Sequence, residues 1–357
     1  MSNFFLEDDI KDILDRTQKL SNKLAGKHIV LTGGRGFLGK YLTEYFLRLN
    51  KKLKKPLFLT VLDNLTIDGN INQKIPNDRY FKFLNKDVSH PFKIKKKVDF
   101  FIHAAGIASP FYYRKKPLET LDVTINGIRS ILEMAKENSA KVVFFSSSEI
   151  YGDPDDKNVP MKETYRGNVS TSGPRACYDE SKRLGETLCY IYNQYFNVHT
   201  NIIRPFNVYG PGMNQYDYRI LPNFGNKIKN KEILSIYGTG KQTRTYCYIN
   251  DAIVGFLKVI VLGKNGETYN IGNSNPEISA LELFKKIDKI VDDKIKFKII
   301  QYPKSYPTDE PQRRCPDISK SIIHLGFKPT ISLDEGLNKF FKWSQLNYVK
   351  KRKIKKT

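Results

Sequence analysis

Short apolar runs and longer amphipathic stretches alternate through the first two hundred residues. The runs Ile29 to Leu31, Leu57 to Leu62, Phe81 to Leu84, residues 98 to 106 and Val142 to Phe145 are continuous and rich in β-branched and aromatic side chains. Strands buried on both faces of a parallel sheet read in this way. Between them apolar residues recur at helical spacing: Leu38, Tyr41, Leu42, Tyr45 and Phe46, then residues 118 to 136, then 178 to 195. One more strand is expected in VHTNIIRPFNVYGPG after Tyr195. Strand and helix in turn predict an α/β fold with a doubly wound parallel sheet. Ahead of the first strand, Phe5, Ile10, Ile13, Leu14, Leu20 and Leu24 predict an amphipathic helix laid on the domain. From 215 to 345 the periodic segments shorten, and turns such as YGTGKQTR and YPTDEPQRRCPD intervene. The division expected is a helix over 1–26, a nucleotide-binding domain over 27–205, mainly a substrate lobe over 206–345 and a basic tail over 346–357.

The first strand runs into TGGRGFLG and then into a helix. Gly33, Gly36 and Gly39 permit a tight turn, close approach of a pyrophosphate to the helix N-terminus, and close helix packing, with Phe37 and Leu38 at the helix start. Glycines set between strand and helix make this a Rossmann-type dinucleotide site. The second strand ends in Asp63 and Asn64, where a carboxylate would bind ribose hydroxyls and disfavour a 2′-phosphate, so NAD is expected as cofactor. Arg35 is a counter-signal. Asp87 and Val88 end the third strand near the adenine. Ala104, Ala105 and Gly106 end the fourth and leave room for a cofactor against the backbone.

The fifth strand ends in Ser146, Ser147, Ser148 and Glu149, at the edge where open α/β sheets bind ligands. Tyr178 and Lys182 follow at i, i+4 on one helix face. A lysine 4 to 5 Å from a phenol is worth about 3 to 4 kcal/mol at an effective dielectric of 20. Helped by a cationic nicotinamide, that would bring the tyrosine from about 10 to about 7. Tyr112 with Lys116 and Tyr237 with Lys241 share the spacing, but Pro117 follows the first pair and glycines interrupt the second. Tyr178 is therefore the expected general base.

The chain has 357 residues and a formal charge of +23. Its lysines are spread along the whole length without an RNA-binding motif, which favours a solvated basic surface over nucleic-acid binding. No run of about 18 apolar residues exists and the N-terminus is acidic and amphipathic, so a soluble, non-exported protein without membrane association is expected. Four scattered cysteines form no CxxC pair, which argues against a metal site or disulfides and for a cytoplasmic setting.

The motifs TGGRGFLG, SSSEIYGDP, YDESK, RPFNVYGPGM and GTGKQTRTYCYINDA, in this order, resemble the extended short-chain dehydrogenase/reductase family acting on sugar nucleotides. The resemblance runs from about Lys27 to about Phe341. Through SSSEIYGDP, GPRACYDESKR and DEPQRRCPD it is nearest the UDP-glucuronate decarboxylases. It implies NAD, a homodimer through the helices at 118–136 and 178–195, and UDP-glucuronate as substrate. It gives Tyr178, Lys182 and Ser147 roles in proton removal at the sugar 4-hydroxyl, and Ser148, Glu149 and Arg314 roles in carboxylate handling and reprotonation. For the rest of the substrate it points to Tyr113, Asn207, Arg219, Arg244 and Tyr248. The resembling 4,6-dehydratases carry an aspartate at the Ser148 position, and the 4-epimerases lack the glutamate and the QRR segment. Release of the 4-keto pentose is an alternative outcome, and a binding protein without turnover an alternative of another class. The chain departs from the family in Thr124, usually asparagine, and in Cys315, lysine in the decarboxylases.

Overall fold

The computed structural model describes residues 4–66, 75–291, 295–302 and 310–350. The basic tail beyond Lys350 and Asp309 lie outside the described residues. Strands β1 (His28–Thr32), β2 (Phe58–Asp63), β3 (Phe81–Asn85), β4 (Phe100–His103), β5 (Lys141–Phe145) and β6 (Thr200–Pro205) match the predicted runs to within a residue or two at most ends. With the strand Thr268–Ile271 they form one seven-stranded sheet, in the order Thr268–Ile271, β6, β5, β4, β1, β2, β3. Every neighbouring pair is parallel. β1 and β5 are buried along their whole length, as helices on both faces require. Strand order reverses between β1 and β4, and ligands bind at such a switch point, beyond the strands' carboxyl ends.

The chain does not divide cleanly at residue 205, because Thr268–Ile271 returns to complete the sheet beside β6. Beyond β6 the chain also builds a second layer of short two- and three-stranded sheets. The segment VHTNIIRPFNVYGPG gives β6 and then a separate two-residue strand, Val208–Tyr209, with Asn207 at a φ of 42° between them.

The N-terminal stretch forms helix α1 (Glu7–Arg16), a short 3₁₀ turn and helix α2 (Ser21–Leu24). Ile10 and Ile13 join the main core. The helix is also fastened by charge: Arg16 pairs with Asp251 at 2.7 Å, and the buried Asp9 accepts from Tyr248 Oη at 2.6 Å. Helices α3 (Phe37–Asn50), α4 (Pro110–Lys115), α5 (Pro117–Asn138) and α6 (Ala176–Phe196) come next in the chain. Among the described residues no helix is long and apolar enough to cross a membrane.

Candidate active site

The turn from β1 into α3 is built by exclusion of side chains. A Cβ on Gly39 would lie 2.0 Å from Gly33 O, and one on Gly33, at a φ of 72°, would lie 2.6 Å from Ala105 N. Only glycine lets the loop, the helix start and the end of β4 pack this closely. Asp63 pins the loop, since its Oδ2 accepts from Arg35 N at 2.8 Å and its Oδ1 from Leu65 N at 2.9 Å. Asn64 Nδ2 donates to Asp87 Oδ2 at 3.0 Å, and Val88 is buried behind them. The first-turn N–H groups of α3 have no acceptor within the helix and suit a pyrophosphate. This backbone cradle, with carboxylates at the ends of β2 and β3, fits a dinucleotide.

Continuous with it is a cleft of about 820 Å³, within the usual range for a small-molecule site. Phe37, Leu38, Ala104 and Gly106 line its cofactor side; Ser147, Ser148, Glu149, Tyr178 and Lys182 line its floor. The 3₁₀ turn Ser148–Tyr151 begins where β5 ends, and Ser147 Oγ caps it by accepting from Glu149 N at 3.2 Å. Serine hydroxyls and a carboxylate thus leave the sheet toward α6. Lys182 Nζ donates to Phe145 O at 2.9 Å and lies 5.8 Å from the centre of the Tyr178 ring. Tyr113 stacks on Tyr178 with centroids 5.4 Å apart.

Burial pushes the Tyr178 phenol up to about 12; Ser147 and Arg219 pull it down, while Glu149 and Asp179 raise it. Burial also brings Lys182 down to about 8, against the pull of Glu186. Desolvation is the largest influence on both groups.

A charged wall completes the site. Arg314 is 1% exposed; its Nη1 pairs with Glu149 Oε1 at 3.0 Å and donates to Ser148 Oγ at 3.2 Å. Arg313 points the other way, to Glu277 and Asp156. Arg314 therefore stands behind Glu149, outside the residues that line the cleft. A cation on the wall itself, beside Glu149 and Tyr178, is Arg175, which lies in the motif GPRACYDESKR but is given no role by the sequence. Arg175 binds the other oxygen of Glu149, and lies 2.9 Å from Glu310 and 3.5 Å from Asp179. Burial raises the Glu149 carboxyl, but Arg314, Arg175 and Arg244 lower it by more, so it stays charged. Burial and Glu149 push Asp179 up to about 7, against Arg175 and Arg314, and its Oδ1 is buried without a hydrogen-bond partner.

Asn207, Arg219 and Arg244 line the cleft as expected, although Arg219 also pairs with Asp217 at 2.6 Å. Tyr248 is a correction: it does not line the cleft, being 1% exposed with its hydroxyl given to Asp9, and Tyr246 lines the wall instead. Thr124 is buried on α5 with its hydroxyl unpartnered, and Cys315 is buried with Sγ directed at Ser274 O. Among the described residues no group of His, Cys, Asp and Glu could hold a metal ion.

Residues 29–272 match the NAD dependent epimerase/dehydratase family. The UDP-glucuronic acid decarboxylase 1 of Xenopus tropicalis is 36% identical over 315 residues, 88% of this chain and 71% of that protein. The UDP-glucuronic acid decarboxylase 3 of Arabidopsis thaliana is 35% identical over 311 residues, 87% of this chain and 86% of that one. Among solved structures, the UDP-glucuronic acid 4-epimerase of Bacillus cereus in complex with UDP-glucuronic acid and NAD is similar at a TM-score of 0.76 and 25% identity, over 90% of this chain and 100% of that chain. The chain belongs to the NAD dependent epimerase/dehydratase family.

Proposed function

We propose that this enzyme decarboxylates UDP-glucuronate to a UDP-pentose, UDP-xylose when the 4-keto intermediate is reduced. The observation that carries the reading is Arg175 on the cleft wall with Glu149 and Tyr178, with Arg314 fastening Glu149 from behind. A neutral hexose has no use for an arginine at the reacting end of the site, whereas a hexuronate needs a cation near its carboxylate. The relatives named as UDP-glucuronic acid decarboxylases support the same substrate.

NAD, held by Gly33 to Gly39, Asp63, Asp87 and Ala104, supplies a two-electron acceptor and donor for the sugar's C4. Tyr178 takes the proton of the 4-hydroxyl, Ser147 holds the same oxygen, and Lys182 supports the phenolate. Once C4 is a ketone it lies β to the C6 carboxylate. The electrons of the C5–C6 bond then pass into an enolate as carbon dioxide leaves. The enolate then takes a proton at C5, drawn from solvent, at the end of the cleft lined by Ser148 and Glu149, which Arg314 fixes. Ser148 cannot serve as the acid that a 4,6-dehydratase needs at neutral pH.

Incubation with NAD and UDP-glucuronate, UDP-glucose or dTDP-glucose, read by mass spectrometry, tests this. Loss of one carbon dioxide from UDP-glucuronate is the expected result. Turnover of the neutral sugars with UDP-glucuronate untouched would return the epimerase or dehydratase reading.

The working form we infer is a cytoplasmic homodimer. Leu118, Leu184, Tyr190, Tyr195 and Phe196, on α5 and α6, are exposed, which supports a second copy covering these helices, and all four cysteines are free thiols. Sedimentation of the protein at micromolar concentration gives the mass of a dimer on this reading and of one chain otherwise.

A further inference from the structure

The cleft arginines already hold a carboxylate that belongs to the protein. Arg175 Nη1 donates to Glu310 Oε2 at 2.9 Å and Arg244 Nη2 donates to Glu310 Oε1 at 2.7 Å, so one carboxylate spans two guanidinium groups. All three residues line the cleft with Glu149 and Tyr178. Glu310 is held differently from Glu149. Glu149 sits in a capped turn and is fastened from behind by Arg314. Glu310 reaches from the segment that precedes the short strand Arg313–Arg314 and has no such cap; the two side chains are equally exposed, 24% against 26%, so the difference lies in how each is anchored.

The arrangement has a physical reason. Arg175, Arg244 and Arg314 repel one another in a partly desolvated wall; Arg244 and Arg175 both bear on Arg314. Glu149 alone leaves two of these three charges uncompensated. Glu310 neutralises one more, and does so with two oxygens set as a substrate carboxylate or a pair of phosphate oxygens would set them. Each terminal nitrogen of Arg175 is then occupied, one by Glu149 and one by Glu310. An incoming anion that uses these arginines has to take the place of one of the two glutamates, and Glu310 is the less firmly held.

We propose that Glu310 is an internal mimic of the substrate's anionic group, seated between Arg175 and Arg244 and displaced by the sugar nucleotide, so that its charge determines how strongly the cleft holds anionic ligands. The proposal rests on reading this cleft as the sugar-nucleotide site.

The test is calorimetric titration of the NAD-loaded Tyr178→Phe protein, with and without Glu310→Gln, using UDP-glucuronate, UDP-glucose and UDP. Loss of an internal competitor should tighten binding by about three- to ten-fold. Tightening of UDP-glucuronate alone assigns Glu310 to the place of the sugar carboxylate; equal tightening of all three ligands assigns it to the place of the diphosphate. Glu310→Asp keeps the charge and should tighten binding less than Glu310→Gln. Unchanged or weaker binding of every ligand to a Glu310→Gln protein of parental melting temperature overturns the proposal, since Glu310 would then be organising the arginines rather than competing for them. Wild-type protein that binds these ligands yet releases no carbon dioxide from UDP-glucuronate fails the decarboxylase reading and leaves the binding comparison standing.

Discussion

The two walls of the cleft are made from different materials. The nucleotide cradle is backbone: a few consecutive residues packed so tightly that a Cβ at Gly39 would meet Gly33 O at 2.0 Å. The charged wall is side chain: Glu149, Arg175, Glu310 and Arg314 come from three separate stretches and are joined by ion pairs. The first is fixed by sterics and tolerates no addition. The second is a balance of charges, which a ligand or a pH change can shift.

The largest effect should come from breaking the cradle. Gly39→Val places a branched side chain against backbone that cannot yield, and the purified protein should retain no NAD, as judged by absorbance after denaturation. Retention at the parental level would mean that the loop relaxes. Tyr178→Phe leaves both walls standing and removes only the ionisable oxygen. A loss in kcat of about 10²- to 10⁴-fold with NAD retained is expected, and near-normal turnover would unseat Tyr178 as the base.

The charged wall is probed by two neighbours. Arg314→Met strands Glu149 and Ser148 without their rear support, and breaking a buried pair costs about 2 to 5 kcal/mol, or roughly 30-fold to several thousand-fold in kcat/KM for UDP-glucuronate. Arg313→Met, whose partners Glu277 and Asp156 lie away from the cleft, should cost far less. Equal, small losses in both would show that Arg314 does not support the site.

The smallest effect is on stability. Asp179 is raised from 3.8 to about 7 by burial and Glu149, so the folded protein keeps a proton that the unfolded chain has already lost. That contribution to stability therefore falls as pH rises from about 4 to about 7, and the penalty is full above 7. Asp179→Asn removes it, and the variant's advantage in Tm should be a few degrees larger at pH 8 than at pH 5, corresponding to about 1 to 3 kcal/mol. A constant difference would show that Asp179 is charged throughout and paired with Arg175.

The same contrast explains how much of the molecule is legible in its sequence. The cradle, the strand ends and the pair Tyr178 and Lys182 are local patterns, in which spacing carries the geometry. Arg175 stands three residues before Tyr178, but its partners Glu149 and Glu310 are 26 and 135 residues away, and an arginine near a helix start otherwise reads as solvated. Spacing from Arg175 to Tyr178 and Asp179 on one helix face is the available signal. Tyr248 fails as a cleft residue for the opposite reason: Asp9, 239 residues earlier, draws its hydroxyll into the packing of α1. The upward push of burial on Tyr178 is a property of the fold, and a Coulomb estimate from two residues leaves it out.

The most direct test of decarboxylation follows the atoms. UDP-glucuronate labelled with ¹³C at the carboxylate, incubated with the NAD-loaded protein in D₂O, should lose its label as carbon dioxide and gain deuterium at C5, both visible by NMR. Label retained in a product inverted at C4 would contradict decarboxylation and make the enzyme a 4-epimerase.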